Sequence, residues 1–352
     1  MLTGKRILIT GGTGSLGKVL VRRLLSGEMG TPKKIIIFSR DEAKQHSMRV
    51  EYMKRKAVTD EVIYRNFEQL LEFQIGDVRD FHSVSGVLQR VDVVFNAAAL
   101  KQVPTCEYFP FEAVQTNIAG PENIIRAIRE HRLPIETVVG ISTDKACKPV
   151  NVMGMTKAIQ ERVFLCGNIS CPQTRFYCVR YGNVLASRGS VIPFFFEQIA
   201  SGGPVTITTS DMTRFLLSLN QAVDIIFEGL RHANAGETYI PHVSSALVTD
   251  IAAALINGRP IPTKVTGIRP GEKIHEILVS EEEANRTVTR GNYYAILPIL
   301  PELCKPGAIG PTLNREYSSA DHVLDLPGVT KLLASHNLLT AETFTLDGEL
   351  LR

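Results

Sequence analysis

Short apolar runs recur along the first half of the chain, each followed by a turn and a segment with apolar residues at helical spacing. KRILIT (5–10) leads through a turn to KVLVRRLLS (18–26). KKIIIF (33–38), LEFQIGDV (71–78), VDVVFNAAA (91–99), IETVVGIST (135–143) and FYCVRYGNV (176–184) repeat the theme. Helical segments such as FEAVQTNIAGPENIIRAIREH (111–131) lie between them. Continuous apolar strands alternating with helices of this length predict an α/β fold built on a parallel, doubly wound sheet. In such a sheet, functional groups are expected at the carboxyl ends of the strands.

Beyond FYCVRYGNV the periodicity weakens and Gly and Pro become frequent, which predicts a smaller, discontinuous second lobe. LSLNQAVDIIFEGLR (217–231) reads as an amphipathic helix, and ETYIPHV (237–243) as a strand returning to the first domain. The expected division is 1–182 with 212–242, then 183–211 with 243–320, and a C-terminal extension, 321–352, with no readable chemistry.

The turn after the first strand is GGTGSLG, running straight into a helix. Strand, glycine turn and helix together make a Rossmann-type dinucleotide site. Gly11, Gly14 and Gly17 permit the tight turn, the close approach of a pyrophosphate and close helix packing. Thr13, Ser15 and Leu16 complete the loop, and the free N–H groups of the helix start favour an anion. After the second strand stand Ser39 and Arg40, with Lys44 one turn on. A guanidinium forks well onto a 2′-phosphate, so NADP is expected, with NAD the alternative because Asp41 is adjacent. Asp77 and Val78 are placed for the adenine, and Ala97, Ala98 and Ala99 let a dinucleotide lie against the backbone.

Composition narrows the class. The 352 residues are 44% hydrophobic and carry a formal charge of +3, so net charge gives nucleic-acid binding no support. No apolar run approaches the ~18 residues that span a bilayer, and MLTGKRILITGG has no signal-like stretch. The six cysteines lack metal-ligand spacing, so no metal site is expected, and the location expected is the cytoplasm.

STDKACKPVNVMGMTK (142–157) holds a puzzle. Many nicotinamide enzymes have a proton-moving Tyr four residues before a Lys, but here Met153 precedes Lys157. A thioether has no proton to give. Asp144 and Lys145, at the mouth of the fifth strand, offer an acid and a base instead. Those roles require a raised Asp pKa and a lowered Lys pKa, which partial burial can supply. Met153 is expected to pack.

TGGTGSLG, NAAA and Lys157 resemble the extended short-chain dehydrogenase/reductases. SRDE, AALKQVPTCEYFP, STDKACKPVNVMGMTK, VRYGNVLASRGSVIP, MTRF and RPGEK, spanning roughly residues 5 to 280, narrow the resemblance. They are similar to UDP-N-acetylglucosamine 4,6-dehydratases of bacterial polysaccharide biosynthesis, in a subtype with Met for Tyr. The resemblance implies oxidation at C4 of the sugar, loss of water across C5 and C6, and hydride return to C6, with the cofactor tightly bound and regenerated. It implies that Asp144 protonates the 6-hydroxyl, Lys145 handles the C5 proton and Thr143 meets the 4-hydroxyl. Lys157 would hold the nicotinamide ribose. Without a phenol, the 4-hydroxyl proton leaves through Thr143, Asp144 or a water relay to Lys157, and the sequence leaves these three open.

For the UDP-sugar, the resemblance implies Lys101 near the reacting ring and Asn183, Ser190 and Val191 at the diphosphate, under a helix begun by Pro193. It places Thr206 at the uridine, and Arg214, Arg269 and Glu272 at the phosphates and ribose. His275 is expected on an ensuing helix in a structural role, as is Asn117 beside the active-site helix. A homo-oligomer, dimer or hexamer, is expected through segments 109–131 and 151–167. A UDP-sugar 4-epimerase and a non-catalytic dinucleotide sensor are the alternatives. An epimerase has no use for an acid at C6, and a sensor has none for Asp144, Lys145 and Lys157 together.

Overall fold

The computed structural model describes residues 1–54, 67–185, 190–304, 310 and 312–339. Six parallel strands form its centre: β1 (Arg6–Thr10), β2 (Lys34–Ser39), β3 (Leu71–Ile75), β4 (Val93–Asn96), β5 (Thr137–Thr143) and β6 (Arg175–Tyr181). They return through α1 (Ser15–Leu25), α2 (Glu42–Lys54), α3 (Phe81–Leu88), α4 (Val103–Tyr108), α5 (Pro110–Val114), α6 (Gly120–His131) and α7 (Val152–Ser170). The order β3-β2-β1-β4-β5-β6 reverses between β1 and β4, leaving a crevice at the carboxyl ends there.

After β6 come α8 (Val191–Ala200), β7 (Val205–Ile207), β8 (Thr213–Phe215) and α9 (Leu219–His232). β9 (Thr238–Pro241) then joins the large sheet parallel to β6, as the return strand was expected to do. The remaining elements are β10 (Ser245–Leu247), α10 (Val248–Ile256), β11 (Thr263–Val265), β12 (Ile277–Val279), α11 (Glu281–Ala284), β13 (Thr287–Arg290), β14 (Tyr293–Ile296), β15 (Tyr317–Ser318), β16 (Val323–Leu324) and α12 (Leu326–Ser335).

Packing explains the layers. On one face of the large sheet, Leu20 and Leu24 of α1 join Val223 and Ile226 of α9. On the other, Val84 and Val87 of α3 join Ile124 and Ile128 of α6 and Phe164 of α7. Burying each such side chain contributes ~1.5–3 kcal/mol before entropy is charged against it. A third core gathers Ile192, Phe195 and Phe196 of α8, Ile251 and Leu255 of α10, and Val329 and Leu333 of α12. The C-terminal extension thus packs on α10 as far as residue 339; its remainder lies outside the described residues.

Several local expectations change. The helix over 111–131 is interrupted by a π-turn at Gln115–Ala119. Pro193 sits inside the first turn of α8, whose N-cap is Ser190. His275 lies in coil before β12, not on a helix, with Nδ1 2.8 Å from Thr213 Oγ1. Residues 287–296, expected in the second lobe, form a hairpin on the edge of the large sheet because β14 pairs antiparallel with β9.

Candidate active site

β5 delivers Thr143 to its carboxyl end, and Asp144–Ala146 then make one tight turn. Thr143 caps that turn, accepting from the Lys145 N–H at 3.4 Å, and donates its own hydrogen to Asp144 Oδ1 at 2.9 Å. Lys145 Nζ lies 3.1 Å from the same Oδ1 and 3.1 Å from Glu276 Oε1. Arg214 Nε is 4.0 Å from Glu276 Oε1. Asp144 and Glu276 are buried, and Asp144 Oδ2 and Glu276 Oε2 have no hydrogen-bond partner among the described residues. A buried acceptor without a donor costs ~1–3 kcal/mol, so these two oxygens call for an explanation beyond the packing of the described residues.

Burial raises the Asp144 carboxyl above the ordinary range, against the pull of Lys145. Burial pushes Glu276 the same way, but Lys145 and Arg214 outweigh it and hold Glu276 low. Burial also pulls Lys145 down, yet Asp144 and Glu276 together raise it. This corrects the expectation of a depressed Lys145. Lys157 is depressed instead, lowered by burial to about 8, and burial also lowers Lys273 beside Glu276. Lys157 Nζ donates to Ile141 O at 2.5 Å and to Gln160 Oε1 at 2.7 Å. Met153, 5% exposed, packs with Cys106 and Ala113, against Leu100, Val103 and Val152. Asn117 brackets Leu100 with bonds to its N–H and C=O and donates to Thr156 Oγ1 at 3.0 Å, tying the exit of β4 to α7.

The glycine loop is shaped for a dinucleotide. Gly11 has φ +66°, and a Cβ there would meet Ala98 Cα at 2.8 Å, which also explains the small residues after β4. Gly14 is the N-cap of α1 without a side-chain cap, and a Cβ on it would meet only Gly11 O, at 3.4 Å. The open cradle and the N–H groups of Ser15, Leu16 and Gly17 fit a pyrophosphate. Asn96 Nδ2 is a further buried donor with no partner among the described residues. Thr13 Oγ1 reaches Ser39 Oγ at 3.4 Å. Arg40 is exposed with Nη1 3.7 Å from Asp77 Oδ2, and Lys44 pairs with Asp41 at 3.0 Å. Asp77, which burial alone would raise, is lowered by hydrogen bonds from Arg79. Val78 is buried, its carbonyl accepting from Asn123 at 2.9 Å. Ala97, Ala98 and Ala99 line the strand exit.

The nucleotide-sugar residues divide. Asn183 Oδ1, Ser190 Oγ and Glu272 Oε2 are buried without partners among the described residues. Val191 opens α8. Ala186–Gly189, between them, lie outside the described residues. Thr206 on β7 is engaged by Gln198, whose Nε2 donates to its hydroxyl at 2.8 Å. Arg269 and Lys101 are exposed. Arg214 is buried, donates to Thr213 O (2.7 Å) and Ile274 O (3.1 Å), and faces Glu276. Among the described residues no His, Cys, Asp and Glu cluster suits a metal ion. No helix there is long and apolar enough to cross a membrane.

A family model described as "Polysaccharide biosynthesis protein" matches residues 7–298. The chain belongs to this polysaccharide biosynthesis protein family. It is 43% identical over 301 residues to a UDP-N-acetylglucosamine 4,6-dehydratase (inverting) of Campylobacter jejuni (strain 81-176), covering 85% of this chain and 84% of that one. It is 41% identical over 301 residues to a UDP-glucose 4-epimerase of Rickettsia akari, covering 84% of each. Among solved structures, Pen from Bacillus thuringiensis matches with TM-score 0.85 and 31% identity, over 96% of this chain and 100% of that one. DesIV, a dTDP-glucose 4,6-dehydratase from Streptomyces venezuelae solved with NAD and TYD bound, shares the fold at TM-score 0.64 and 19% identity, over 76% and 86% of the two chains. The doubly wound fold and the family-level resemblance drawn from the motifs are borne out.

Sequence reasoning missed the far side of the site in this family member. Glu276 stands four residues after Glu272 in GEKIHE, and its carboxylate was the available signal. A buried triad was also missed. Arg180 on β6 donates to Glu161 of α7 (Nη2–Oε2 2.6 Å) and to Glu283 of α11 (Nη1–Oε2 2.7 Å). Ser142 donates to Glu161 at 2.5 Å, which ties the triad to the strand carrying Thr143.

Proposed function

We propose that this chain is a nucleotide-sugar 4,6-dehydratase that converts UDP-N-acetylglucosamine to a UDP-4-keto-6-deoxy-hexosamine, with inversion at C5, in surface polysaccharide biosynthesis. The observation that carries the reading is the charged pair Asp144–Lys145 at the mouth of β5, with one carboxylate oxygen buried and without a hydrogen-bond partner among the described residues. The names of the Campylobacter relatives support it. A C4 epimerase takes and returns hydride at one carbon and has no C6 oxygen to expel.

The residues fit a nicotinamide dinucleotide. Gly11, Thr13, Gly14, Ser15, Leu16 and Gly17 would hold the pyrophosphate, Asp77 and Val78 the adenine, and Ala97–Ala99 the nicotinamide side. Arg40, with Ser39 and Lys44, favours NADP over NAD through the 2′-phosphate. Lys157 would hold the ribose. The chemistry the cofactor supplies when bound is hydride acceptance at C4 and hydride return at C6.

The chain's own groups supply the protons. Thr143 Oγ1 accepts from the 4-hydroxyl and passes its own hydrogen to Asp144, with which it is already hydrogen-bonded. Asp144, its pKa raised by burial, keeps that proton until the C6 oxygen leaves as water. Once C4 is a ketone the C5 proton is acidic, and Lys145 handles it. Asn183, Ser190, Val191, Thr206, Arg269 and Glu272 would bind the UDP half from the second lobe, with Lys101 near the sugar. Arg214 belongs with the reacting groups rather than the diphosphate.

The expected assembly is a homo-oligomer. Tyr108, Phe109 and Phe111 at α4 and α5 are exposed, as are Met155 and Ile159 of α7, and α4, α5 and α7 pack against one another, which supports this expectation.

Purified protein incubated with UDP-N-acetylglucosamine in deuterated water and followed by proton NMR tests the function. A 4-keto-6-deoxy product with deuterium at C5 is expected. A 4-epimerised sugar retaining its 6-hydroxyl and its C5 proton would instead support the reading suggested by the Rickettsia relatives, and unchanged substrate would refute both.

A further inference from the structure

Lys145 sits between two carboxylates, 3.1 Å from each, which makes the ammonium its resting form. An ammonium has no lone pair and cannot take the C5 proton. It must first give up one of its own. Asp144 is committed elsewhere, since it receives the 4-hydroxyl proton from Thr143 and delivers it to the C6 oxygen. The other acceptor on Lys145 Nζ is Glu276.

We propose that Glu276 is the positioning residue that makes Lys145 a base, by storing the ammonium proton while Lys145 carries the proton of C5. The inference rests on the dehydratase reading. In the forward step Lys145–NH3⁺ passes a proton to Glu276 Oε1, leaving an amine and a carboxylic acid. The amine then takes the C5 proton as the C6 hydroxyl, protonated by Asp144, departs as water. With inversion, C5 is reprotonated from the opposite face by a solvent proton. Glu276, left as the acid beside the Lys145 ammonium, releases its stored proton to solvent, so the site is restored with no net proton gained or lost.

The surroundings suit this exchange. Charged groups facing the pair are Asp144 from the turn after β5, Arg214 from β8 and Lys273 from the segment before β12. Asp144 and Glu276 face three cations, Lys145, Arg214 and Lys273, and moving one proton inside the cluster leaves its net charge unchanged. In a buried site, a neutral amine–acid pair competes with the ion pair because neither member needs charge solvation. Glu276 is also held in place. Its N–H donates to Ser319 Oγ at 2.9 Å, and its carbonyl accepts from the Ser319 N–H at 2.8 Å. The following β12 and α11 are anchored by Arg180, which bonds Leu278 O at 2.8 Å as well as Glu283. The free Oε2 has no competing donor among the described residues.

The test compares wild type, Glu276→Gln and Glu276→Asp as dinucleotide-loaded enzymes. Glutamine keeps the shape and the contact but cannot store the proton. Turnover and C5 deuterium exchange are expected to fall by about 10²–10⁴-fold in Glu276→Gln, with UDP-sugar KM changed less than about threefold. Acid-quenched samples should then accumulate 4-keto sugar with its C6 oxygen intact, because oxidation outruns elimination. Glu276→Asp should restore part of the rate. A Glu276→Gln enzyme that exchanges C5 within about threefold of wild type overturns the inference. A wild type that leaves C5 free of deuterium overturns the dehydratase reading instead. If Glu276→Gln fails to fold, wild type still decides, through competitive acetylation of Lys145 followed by mass spectrometry across pH. A labelling midpoint above that of ordinary lysines supports the store, and one below it refutes it, because a resting amine needs none.

Discussion

The hydroxyl of Thr143 points its hydrogen at Asp144 Oδ1, 2.9 Å away, and so joins the carboxyl end of β5 to the one carboxyl in the turn after it. The proposed proton relay runs through that contact in place of the absent phenol. Thr143→Val removes it and should lower turnover about 10²-fold with dinucleotide still bound, whereas Thr143→Ser should stay within a few-fold of wild type. Asp144→Asn should abolish product. Rates from NMR time courses, with cofactor measured on the same samples, decide. A Thr143→Val enzyme as fast as wild type would sink the relay.

Arg40 is expected to read the 2′-phosphate. It is 59% exposed, at the end of β2, and its pairing with Asp77 at 3.7 Å is loose enough to be exchanged for a phosphate. A charged hydrogen bond of ~1.5–3 kcal/mol corresponds to about 10–100-fold in affinity. Arg40→Ala should weaken NADP binding by that factor and leave NAD nearly unchanged, measured by titration calorimetry. Equal losses for both would remove Arg40 from that role.

How much of this was legible in the sequence depends on how local each signal is. β1 to β6 announce themselves as apolar runs because parallel strands are buried on both faces. Thr143, Asp144 and Lys145 are consecutive, so naming one strand end names all three. Met153 as a packing residue follows from thioether chemistry, and it lies in a small apolar cluster. The state of Lys145 was not legible, because it is set by Glu276, which arrives from far along the chain. The burial of Arg214 was not legible for a similar reason: its neighbours Thr213 and Ile274 offer carbonyls that hold the guanidinium inside. The 287–296 hairpin belongs to the large sheet only through pairing with β9, a tertiary fact with no local mark.

Lys157 gives a stability signature. Burial lowers it from the ordinary 10.5 to about 8. Below about pH 8 the folded protein carries a buried charge at a cost, and between about 8 and 10.5 the unfolded chain holds a proton that the folded chain has released. The unfolded state then binds more protons, so this residue's contribution to stability rises with pH across that window. Lys157→Met removes the term. Its urea stability relative to wild type should therefore be most favourable near pH 7 and decline as pH climbs past about 8. A difference that stays flat with pH would mean the amine is not depressed.

Arg180 should prove costly to remove and its whole network much less so. Its side chain is only 2% exposed, and it is the cation between two buried carboxylates. Taking away one member of a buried ionic group leaves charge uncompensated, at ~3–5 kcal/mol, whereas replacing the group by apolar residues is often neutral or stabilising. Arg180→Met should lose about that much in urea unfolding. The triple change Arg180→Met, Glu161→Leu and Glu283→Leu should recover most of it, short of the donor left on Ser142. The pH dependence separates charge from packing. Burial alone would raise Glu283, but Arg180 depresses it from 4.5 to about 2, so its stabilisation is complete above the unfolded value and is lost as pH falls through that range. The gap between wild type and Arg180→Met should narrow from about pH 4.5 down to about 2. A gap that holds constant there would mean that Arg180 acts by filling space alone.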